Sequence, residues 1–169
     1  MRPLDLPASG LCALIGPPGC GKSTFAARYP ASWRVCLDVY RRLATDSEAD
    51  QSATPVAAEI QNLLLDARLS RGLRTLVDST NVFGHVRAGL IARARYWQRP
   101  AVAVLFDVPL ATVEAQNASR NRIVPQHVVR EFHQLLPTVG QLHDEGFAAV
   151  HRISELTTTD TAPTSGGIS

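Results

Sequence analysis

The stretch LCALIGPPGCGKST, residues 11–24, runs from a short apolar segment into a loop rich in glycine and proline. The segment LCALI has the length and composition of a buried β-strand, and it ends at Gly16. From Lys22 to about Tyr29 the sequence favours a helix. The stretch therefore predicts a strand, a glycine-rich loop and a helix in immediate succession, which is how an α/β fold begins.

The loop carries the pattern Gly-x-x-x-x-Gly-Lys-Ser over residues 16–23. Its glycines allow backbone N–H groups to approach phosphate oxygens, and the helix N-terminus adds partial positive charge. We expect Lys22 to reach the β- and γ-phosphates of ATP or GTP, and Ser23 to bind Mg²⁺. The alternative is a glycine-rich turn that only joins the strand to the helix. The nucleotide-binding residues predicted in this loop are Gly16, Gly19, Cys20, Gly21, Lys22, Ser23 and Thr24.

Cys20 lies inside this loop, where its small side chain fills space. A helix N-terminus also lowers the pKa of a thiol, so the position allows sensitivity to oxidation. Together with Cys12 and Cys36 it makes three cysteines, which cannot all pair within one chain and have no metal-ligand spacing. They indicate reduced thiols in a cytosolic protein.

Four further apolar runs alternate with helical segments along the rest of the chain. The runs predict strands over residues 33–37, 75–77, 101–106 and 147–153, with helices beginning near residues 54, 85, 109 and 126. This alternation predicts a three-layer α/β domain over residues 1–153, with a five-stranded parallel sheet and helices on both faces. Residues 45–54 predict a mobile loop, Pro137 predicts a bend in the last helix, and residues 154–169 predict a disordered tail.

Length and composition fit one globular domain without extreme charge. The chain has 169 residues, 45% of them hydrophobic and 19% charged, with a formal net charge of +2. A charge this small does not indicate a nucleic-acid binder, so any basic surface must be local. No apolar run is long enough for a membrane span, and the first residues lack the apolar stretch of a secretory signal. We therefore expect no membrane association and a cytoplasmic location.

Charged residues follow the second predicted strand. Asp38 and Arg41 are spaced so that both side chains share one face if a helical turn begins at residue 38. A carboxylate beside a phosphate loop can accept a proton from an attacking hydroxyl, which is the base that phosphoryl transfer requires. The alternative is that Asp38 caps a helix and Arg41 is a solvated charge.

The third predicted strand ends in VDSTN, residues 77–81. Asp78 at the strand tip suits a water-mediated contact to Mg²⁺ bound at Ser23, or a hydrogen bond that steadies the site. Thr80 and Asn81 suit phosphate binding or support of the acceptor loop. The alternative is a capping cluster for the helix that begins near residue 85.

The segment NASRNRIVP, residues 117–125, lies between two predicted helices and carries Arg120 and Arg122. Two arginines on a short mobile connection predict a lid that closes over a triphosphate, because guanidinium is a good partner for phosphoryl oxygens. The alternative is an ordinary basic loop. The five histidines have no metal-like spacing and indicate surface or capping positions; they are His85, His127, His133, His143 and His151.

The combination of GPPGCGKST, Asp38-x-x-Arg41, VDSTN and the basic lid resembles the polynucleotide 5′-kinases of the P-loop kinase superfamily. The chain is most similar to the kinase modules of bacterial end-healing RNA repair enzymes, over roughly residues 11–153. The resemblance implies that Asp38 is the general base for a 5′-OH and that Arg41 grips the acceptor's phosphate. It implies that Arg120 contacts the donor and Arg122 the transferring phosphate. Arg87 matches a family arginine that follows the Thr-Asn dipeptide, although a solvated helix charge also explains it.

These expectations define a leading function and two alternatives. The leading one is a kinase that uses Mg²⁺ to transfer the γ-phosphate of an NTP to the 5′-OH of RNA or DNA. The first alternative is a kinase for a small-molecule hydroxyl on the same scaffold, which the modest net charge favours. The second is a non-catalytic NTP-binding switch. Arg41, Thr80, Asn81 and Arg87, with Asp38, are the predicted acceptor-binding residues, and the oligomeric state is left open.

Overall fold

The structure of the chain is a computed structural model that describes residues 4–158. Five strands alternate with eight α-helices in this part of the chain. The strands are β1 Leu11–Ile15, β2 Arg34–Val35, β3 Thr75–Val77, β4 Ala101–Leu105 and β5 Ala149–Arg152. The helices are α1 Lys22–Ala26, α2 Leu37–Thr45, α3 Thr54–Ser70, α4 Gly84–Tyr96, α5 Leu110–Ala118, α6 Gln126–Gln134, α7 Val139–Glu145 and α8 Ile153–Thr158.

The strands form one parallel sheet in the order β2-β3-β1-β4-β5. Because side chains alternate along β1, Leu11, Ala13 and Ile15 pack into one apolar layer, whereas Cys12 and Leu14 pack into the other. Both layers are covered by helices, which explains why β1 and β4 are buried along their whole length. The predicted three-layer α/β fold with a five-stranded parallel sheet is therefore confirmed, and the strands' carboxyl ends meet at one edge.

Several predicted boundaries differ from the structure. The second strand is only Arg34–Val35, because Cys36 is the N-cap of α2 and the chain turns into a helix there. The predicted loop over residues 45–54 contains a short 3₁₀ helix, Gln51–Ala53. Instead of bending at Pro137, the chain ends α6 at Gln134 and starts α7 behind the capping box of Thr138 and Gln141.

The tail prediction is wrong for its first residues, because residues 154–158 belong to α8. Ser154 is tied to the sheet edge, since its N–H and hydroxyl donate to the Asp107 carboxylate at 3.0 and 2.6 Å. The remainder of the predicted tail, residues 159–169, lies outside the described residues. Over residues 4–158, none of the helices combines the length and apolar character needed to cross a bilayer.

Arg87 is not a solvated charge, contrary to one of the two sequence interpretations. It is 5% exposed, and its Nε and Nη2 donate to the two carboxylate oxygens of Glu145 at 2.7 and 2.6 Å. Its Nη1 donates to the carbonyls of Asn81 and Val82. This bidentate pair ties α4 to α7. Arg87 therefore has a structural contact set, and it is not among the residues that line the cavity described below.

Breaking this pair should destabilise the fold. Glu145→Gln leaves the buried Arg87 guanidinium without its counter-ion, and removing one partner of a buried pair typically costs about 3–5 kcal/mol of unfolding free energy. The matched control is Glu114→Gln, which removes the carboxylate partner of Arg130, a side chain 54% exposed. Exposed pairs contribute about 0–1 kcal/mol. Denaturant unfolding of both variants measures the loss of unfolding free energy. Equal losses would show that the Arg87–Glu145 pair contributes no more than an exposed pair.

Candidate active site

A cavity of about 1230 Å³ opens at the carboxyl ends of the strands. The phosphate loop, the start of α2, the segment after β3 and the lid segment all contribute to its wall. The structure thus gathers most of the sequence-predicted site residues at one place. Those that line the cavity are Gly19, Cys20, Gly21, Lys22, Ser23, Thr24, Asp38, Arg41, Asp78, Thr80, Asn81, Arg120 and Arg122, whereas Gly16 and Arg87 do not.

The loop between β1 and α1 has the conformation that its glycines permit. Gly19 and Gly21 have φ values of 87° and 97°, a left-handed region that other residues rarely adopt. The Gly16 N–H donates to the Thr80 carbonyl at 3.0 Å, which joins the loop to the segment after β3. Ser23 and Thr24 are exposed on the first turn of α1 and face the cavity.

Lys22 is held against its own loop. Its Nζ donates to the Gly16 and Pro17 carbonyls at 2.8 and 2.7 Å and lies 3.6 Å from the Cys20 Sγ. The side chain is 8% exposed, so its ammonium group is a preorganised positive charge beside the loop amides. Such an arrangement can neutralise phosphate oxygens without reorganising at the moment of reaction.

Cys20 does not have the thiol environment that oxidation sensitivity requires. Burial raises the pKa of the Cys20 thiol, and the neighbouring Lys22 ammonium only partly offsets this. Burial likewise raises the pKa of Cys36, and it raises the pKa of Cys12 to about 12. All three cysteines are free and buried. The suggested lowering of the Cys20 pKa by the helix N-terminus is therefore wrong, because desolvation outweighs it.

These thiols should react slowly in the folded protein. Thiolate is the reactive form, so a raised pKa and burial both protect a cysteine at pH 8. We expect a thiol-specific chromogenic reagent to modify the native protein far more slowly than the guanidinium-unfolded protein, in which all three cysteines react. Fast reaction of one thiol in the native protein would contradict the structure around that residue.

Asp38 and Arg41 are brought together on the first turns of α2. An Nη2 of Arg41 donates to Asp38 Oδ1, its Nε donates to the Glu48 carbonyl at 3.1 Å, and its Nη1 lies 3.5 Å from Thr54 Oγ1. Arg41 is 8% exposed and is not a solvated charge. The N-cap of α2 is Cys36, so Asp38 does not cap the helix. Its carboxylate is 48% exposed and accessible from the cavity.

Arg122 extends from the lid segment toward the same carboxylate. Its Nη1 lies 3.7 Å from Asp38 Oδ2 and 3.6 Å from Glu48 Oε1. The base of the segment is fixed, because the Asn117 side chain donates to the Val124 carbonyl at 2.8 Å and accepts from its N–H at 3.1 Å. Asn117 also packs against the phosphate loop, since a Cβ added to Gly19 would lie 3.1 Å from the Cβ of Asn117. The lid arginine thus reaches Asp38 from a segment that is anchored beside the phosphate loop.

Asp78 and Ser23 supply oxygen donors that suit Mg²⁺. Asp78 is 5% exposed, and its Oδ2 accepts a hydrogen bond from the Arg34 Nε at 2.8 Å, which fixes the carboxylate. A hydroxyl and a carboxylate are the hard ligands that Mg²⁺ prefers, with the remaining positions taken by water and substrate phosphates. No group of three His, Cys, Asp or Glu residues within 4–158 is placed to hold a metal. The residues present therefore fit an ion held largely by Ser23 and phosphate.

The segment after β3, residues 78–81, links to the end of β1 and does not cap a helix. The Asn81 Nδ2 donates to the Leu14 carbonyl at 2.7 Å and to the Ser79 carbonyl at 3.2 Å, which ties the end of β1 to this segment. The N-cap of α4 is Phe83, and no side chain caps that helix. The capping interpretation of Ser79, Thr80 and Asn81 is therefore wrong.

Comparison with known sequences identifies the family. The family described as AAA domain matches residues 11–138, which include β1, the phosphate loop, Asp38 and Arg41, the segment after β3 and the lid. The chain belongs to this AAA domain family. None of the curated proteins compared with the chain matches it. The family and the fold together identify a nucleotide-binding P-loop domain.

Solved structures share the fold of this AAA domain family member at low identity. A chain of the Pnkp1/Rnl/Hen1 RNA repair complex matches with a TM-score of 0.66 and 22% identity, over 82% of this chain and 46% of that one. Kti12 from Chaetomium thermophilum, solved with ADP-AlF3, gives 0.57 and 12%, over 85% and 88% of the two chains. A gluconokinase from Sinorhizobium meliloti gives 0.51 and 13%, over 86% and 82%. The chain thus spans less than half of the repair-complex chain.

Sequence reasoning missed three residues of this AAA domain's cavity region. Arg34 pairs with Asp78, Glu48 contacts both Arg41 and Arg122, and Gln61 lines the cavity from α3. Glu48 lies in a polar stretch that predicted only a loop, and Gln61 lies inside a helix, so neither carried a motif signal. Of the histidines, His85, His127 and His143 are exposed, and His133 and His151 are half-buried.

Proposed function

We propose that the chain is a polynucleotide 5′-kinase that transfers the γ-phosphate of ATP or GTP to the 5′-OH of RNA or DNA. The observation that carries this proposal is the Asp38 carboxylate, which is oriented by the buried Arg41 and shares one cavity with the phosphate loop. A site that only senses NTP does not need an oriented carboxylate in the same cavity as its loop. An acceptor hydroxyl between the loop and Asp38 would be placed for transfer.

The reaction then follows from the residues present. Asp38 accepts the proton of the 5′-OH while the 5′ oxygen forms a bond to the γ-phosphorus. The bond between the γ-phosphorus and the β–γ bridging oxygen breaks at the same time, which releases NDP. Lys22 and the loop amides stabilise the charge on the β- and γ-phosphates, and Arg120 and Arg122 add positive charge from the lid segment. Mg²⁺, when bound at Ser23, supplies further neutralisation of the phosphate oxygens.

The acceptor assignment has specific support. The Asp38-x-x-Arg41 spacing and the lid arginines resemble the polynucleotide kinases, and the fold matches a chain of an RNA repair complex. Arg41 would hold the phosphate next to the terminal nucleoside with the guanidinium hydrogens that its contacts to Asp38, Glu48 and Thr54 leave free. Cytoplasmic location and binding of RNA or DNA ends are parts of the same proposal.

A small-molecule hydroxyl kinase is the second candidate. The net charge of +2 is low for a polynucleotide binder, and Glu48 places a second carboxylate near Asp38, which would repel a polyanion. The fold also matches a gluconokinase. A nucleotide-binding switch without transfer remains the third candidate.

One transfer assay distinguishes the three. The protein is incubated with Mg²⁺ and γ-labelled ATP or GTP, together with 5′-OH RNA, 5′-OH DNA, or a panel of sugars and other small alcohols. A polynucleotide 5′-kinase would place the label at the 5′ end of the oligonucleotides. Label on a small alcohol alone would show that the protein is a kinase with a small-molecule acceptor. NTP binding without any transfer would support the nucleotide-binding switch.

A further inference from the structure

Three buried side-chain atoms within residues 4–158 have no hydrogen-bond partner. They are the Gln61 Oε1, the Ser79 Oγ and the Asn81 Oδ1. All three residues line the same cavity. An unpaired buried polar atom costs about 1–3 kcal/mol, so a folded protein seldom keeps three of them together without a use. The three atoms themselves are covered, so a ligand in this cavity pairs with them only if the surrounding side chains move when it binds.

Gln61 is the most unusual of the three by position. It belongs to a buried stripe on α3 in which the other members, Ala57, Leu65 and Leu69, are apolar and 0% exposed. Gln61 is 7% exposed and replaces an apolar residue where the stripe passes the cavity. The same helix begins at Thr54, which contacts Arg41. Gln61 therefore faces the cavity from the helix that supports the Asp38 and Arg41 pair.

Asn81 defines the chemistry of the missing ligand. Its Nδ2 is already used for the carbonyls of Leu14 and Ser79, which fixes the direction of the amide. The Oδ1 is therefore an acceptor that needs a donor from outside the protein. Gln61 and Ser79 offer both donor and acceptor groups. A hydroxyl, which donates and accepts at once, satisfies this set better than a phosphate, which at neutral pH mainly accepts.

We propose that Gln61, Ser79 and Asn81 form a subsite for the 2′-hydroxyl of the acceptor's terminal ribose. The inference rests on the proposed function, because it takes the acceptor to be a polynucleotide end. On such a sugar the 5′-OH gives its proton to Asp38, and the 3′ oxygen is esterified and has no hydrogen to donate. The 2′-hydroxyl is the one remaining donor of the terminal sugar, and it is what distinguishes RNA from DNA. The subsite makes the kinase selective for RNA ends.

The test uses 5′-OH oligonucleotides of identical sequence that differ only in the terminal sugar: ribose, 2′-deoxyribose or 2′-O-methylribose. We expect kcat/KM for the ribose end to exceed both others by about tenfold to a hundredfold, because each modified sugar leaves Asn81 Oδ1 unpaired. In Gln61→Leu the ratio of ribose to deoxyribose should fall toward one. The control Asn62→Leu, on the exposed face of α3, should keep the wild-type ratio.

A stability measurement separates this role from a structural one. Without nucleotide or acceptor, Gln61→Leu should melt at or above the wild-type temperature, because Leu fits the apolar stripe and removes an unpaired atom. Equal kcat/KM values of the wild type for the three terminal sugars would overturn the subsite but not the proposed kinase activity. An unchanged ratio in Gln61→Leu would also overturn it. If no oligonucleotide is phosphorylated, the proposed function fails and the subsite fails with it.

Discussion

Asp38→Asn is expected to lower kcat for a 5′-OH oligonucleotide by about 10²- to 10⁴-fold. Asn keeps the size of the side chain and one oxygen that can still accept from Arg41, but it cannot take a proton at neutral pH. Asp38 is not part of the phosphate loop, and it contacts Arg41 and the lid instead. Nucleotide affinity, measured by titration with a fluorescent ATP analogue, should therefore stay within a few-fold of the wild type. The loss would then isolate base catalysis from binding.

The matched control for Asp38→Asn is Glu48→Gln. Glu48 contacts the same lid arginine at a similar distance, 3.6 Å compared with 3.7 Å for Asp38, and both side chains are about half exposed. Removing its charge changes the local electrostatics in a similar way but leaves the proposed base intact. We expect a loss of less than about tenfold for Glu48→Gln, the size of an exposed ion-pair contribution. Equal losses in the two variants would mean that Asp38 acts only through its charge.

Lys22→Met is expected to reduce transfer by about a hundredfold or more, since it removes a preorganised charge from the phosphate site. Met keeps the unbranched stem, which limits the structural change to the loss of the contacts with the Gly16 and Pro17 carbonyls. The loss should appear in kcat as well as in nucleotide affinity, because the charge acts on the transferring phosphoryl group. Near-wild-type kcat in a folded Lys22→Met protein would show that Lys22 does not contribute to phosphoryl transfer.

The sequence offers a direct check on this residue. Lys22 is the only lysine among the 169 residues, and every other basic side chain apart from histidine is arginine. An acyl-phosphate derivative of ATP, which acylates an amine near the bound phosphates, should therefore label one internal peptide, the one containing Lys22. Excess ATP should prevent this labelling, and Lys22→Met should abolish it. Labelling that ATP does not prevent would show that the ammonium group lies outside the nucleotide site.

The parts of the site that could be predicted from sequence are those set by short-range spacing. The phosphate loop needs its glycines, Lys22 and Ser23 within a few residues of each other, so the motif carries its own geometry. Asp38 and Arg41 share a face of α2 because they are about one helical turn apart. The structure has this arrangement although the strand before it, β2, is shorter than predicted. The parallel sheet followed from the alternation of apolar runs with helices.

The parts that could not be predicted depend on contacts between distant segments. Arg87 finds its partner Glu145 on another helix, so nothing near Arg87 in the sequence distinguishes a buried pair from a solvated charge. Gln61 resembles any polar residue of a helix until α3 packs and buries it. Arg34 shows no function until β2 aligns beside β3 and brings it to Asp78. Tertiary packing determined all three roles.

The measurement that tests the central claim most directly is a single-turnover experiment with the protein in excess over 5′-OH RNA, γ-labelled ATP and Mg²⁺. A second reaction uses the same RNA carrying a 5′-phosphate. We expect label on the 5′ end of the first RNA only, and no label on either RNA with Asp38→Asn during the same time. Label released only as inorganic phosphate, at the same rate with and without RNA, would contradict this expectation.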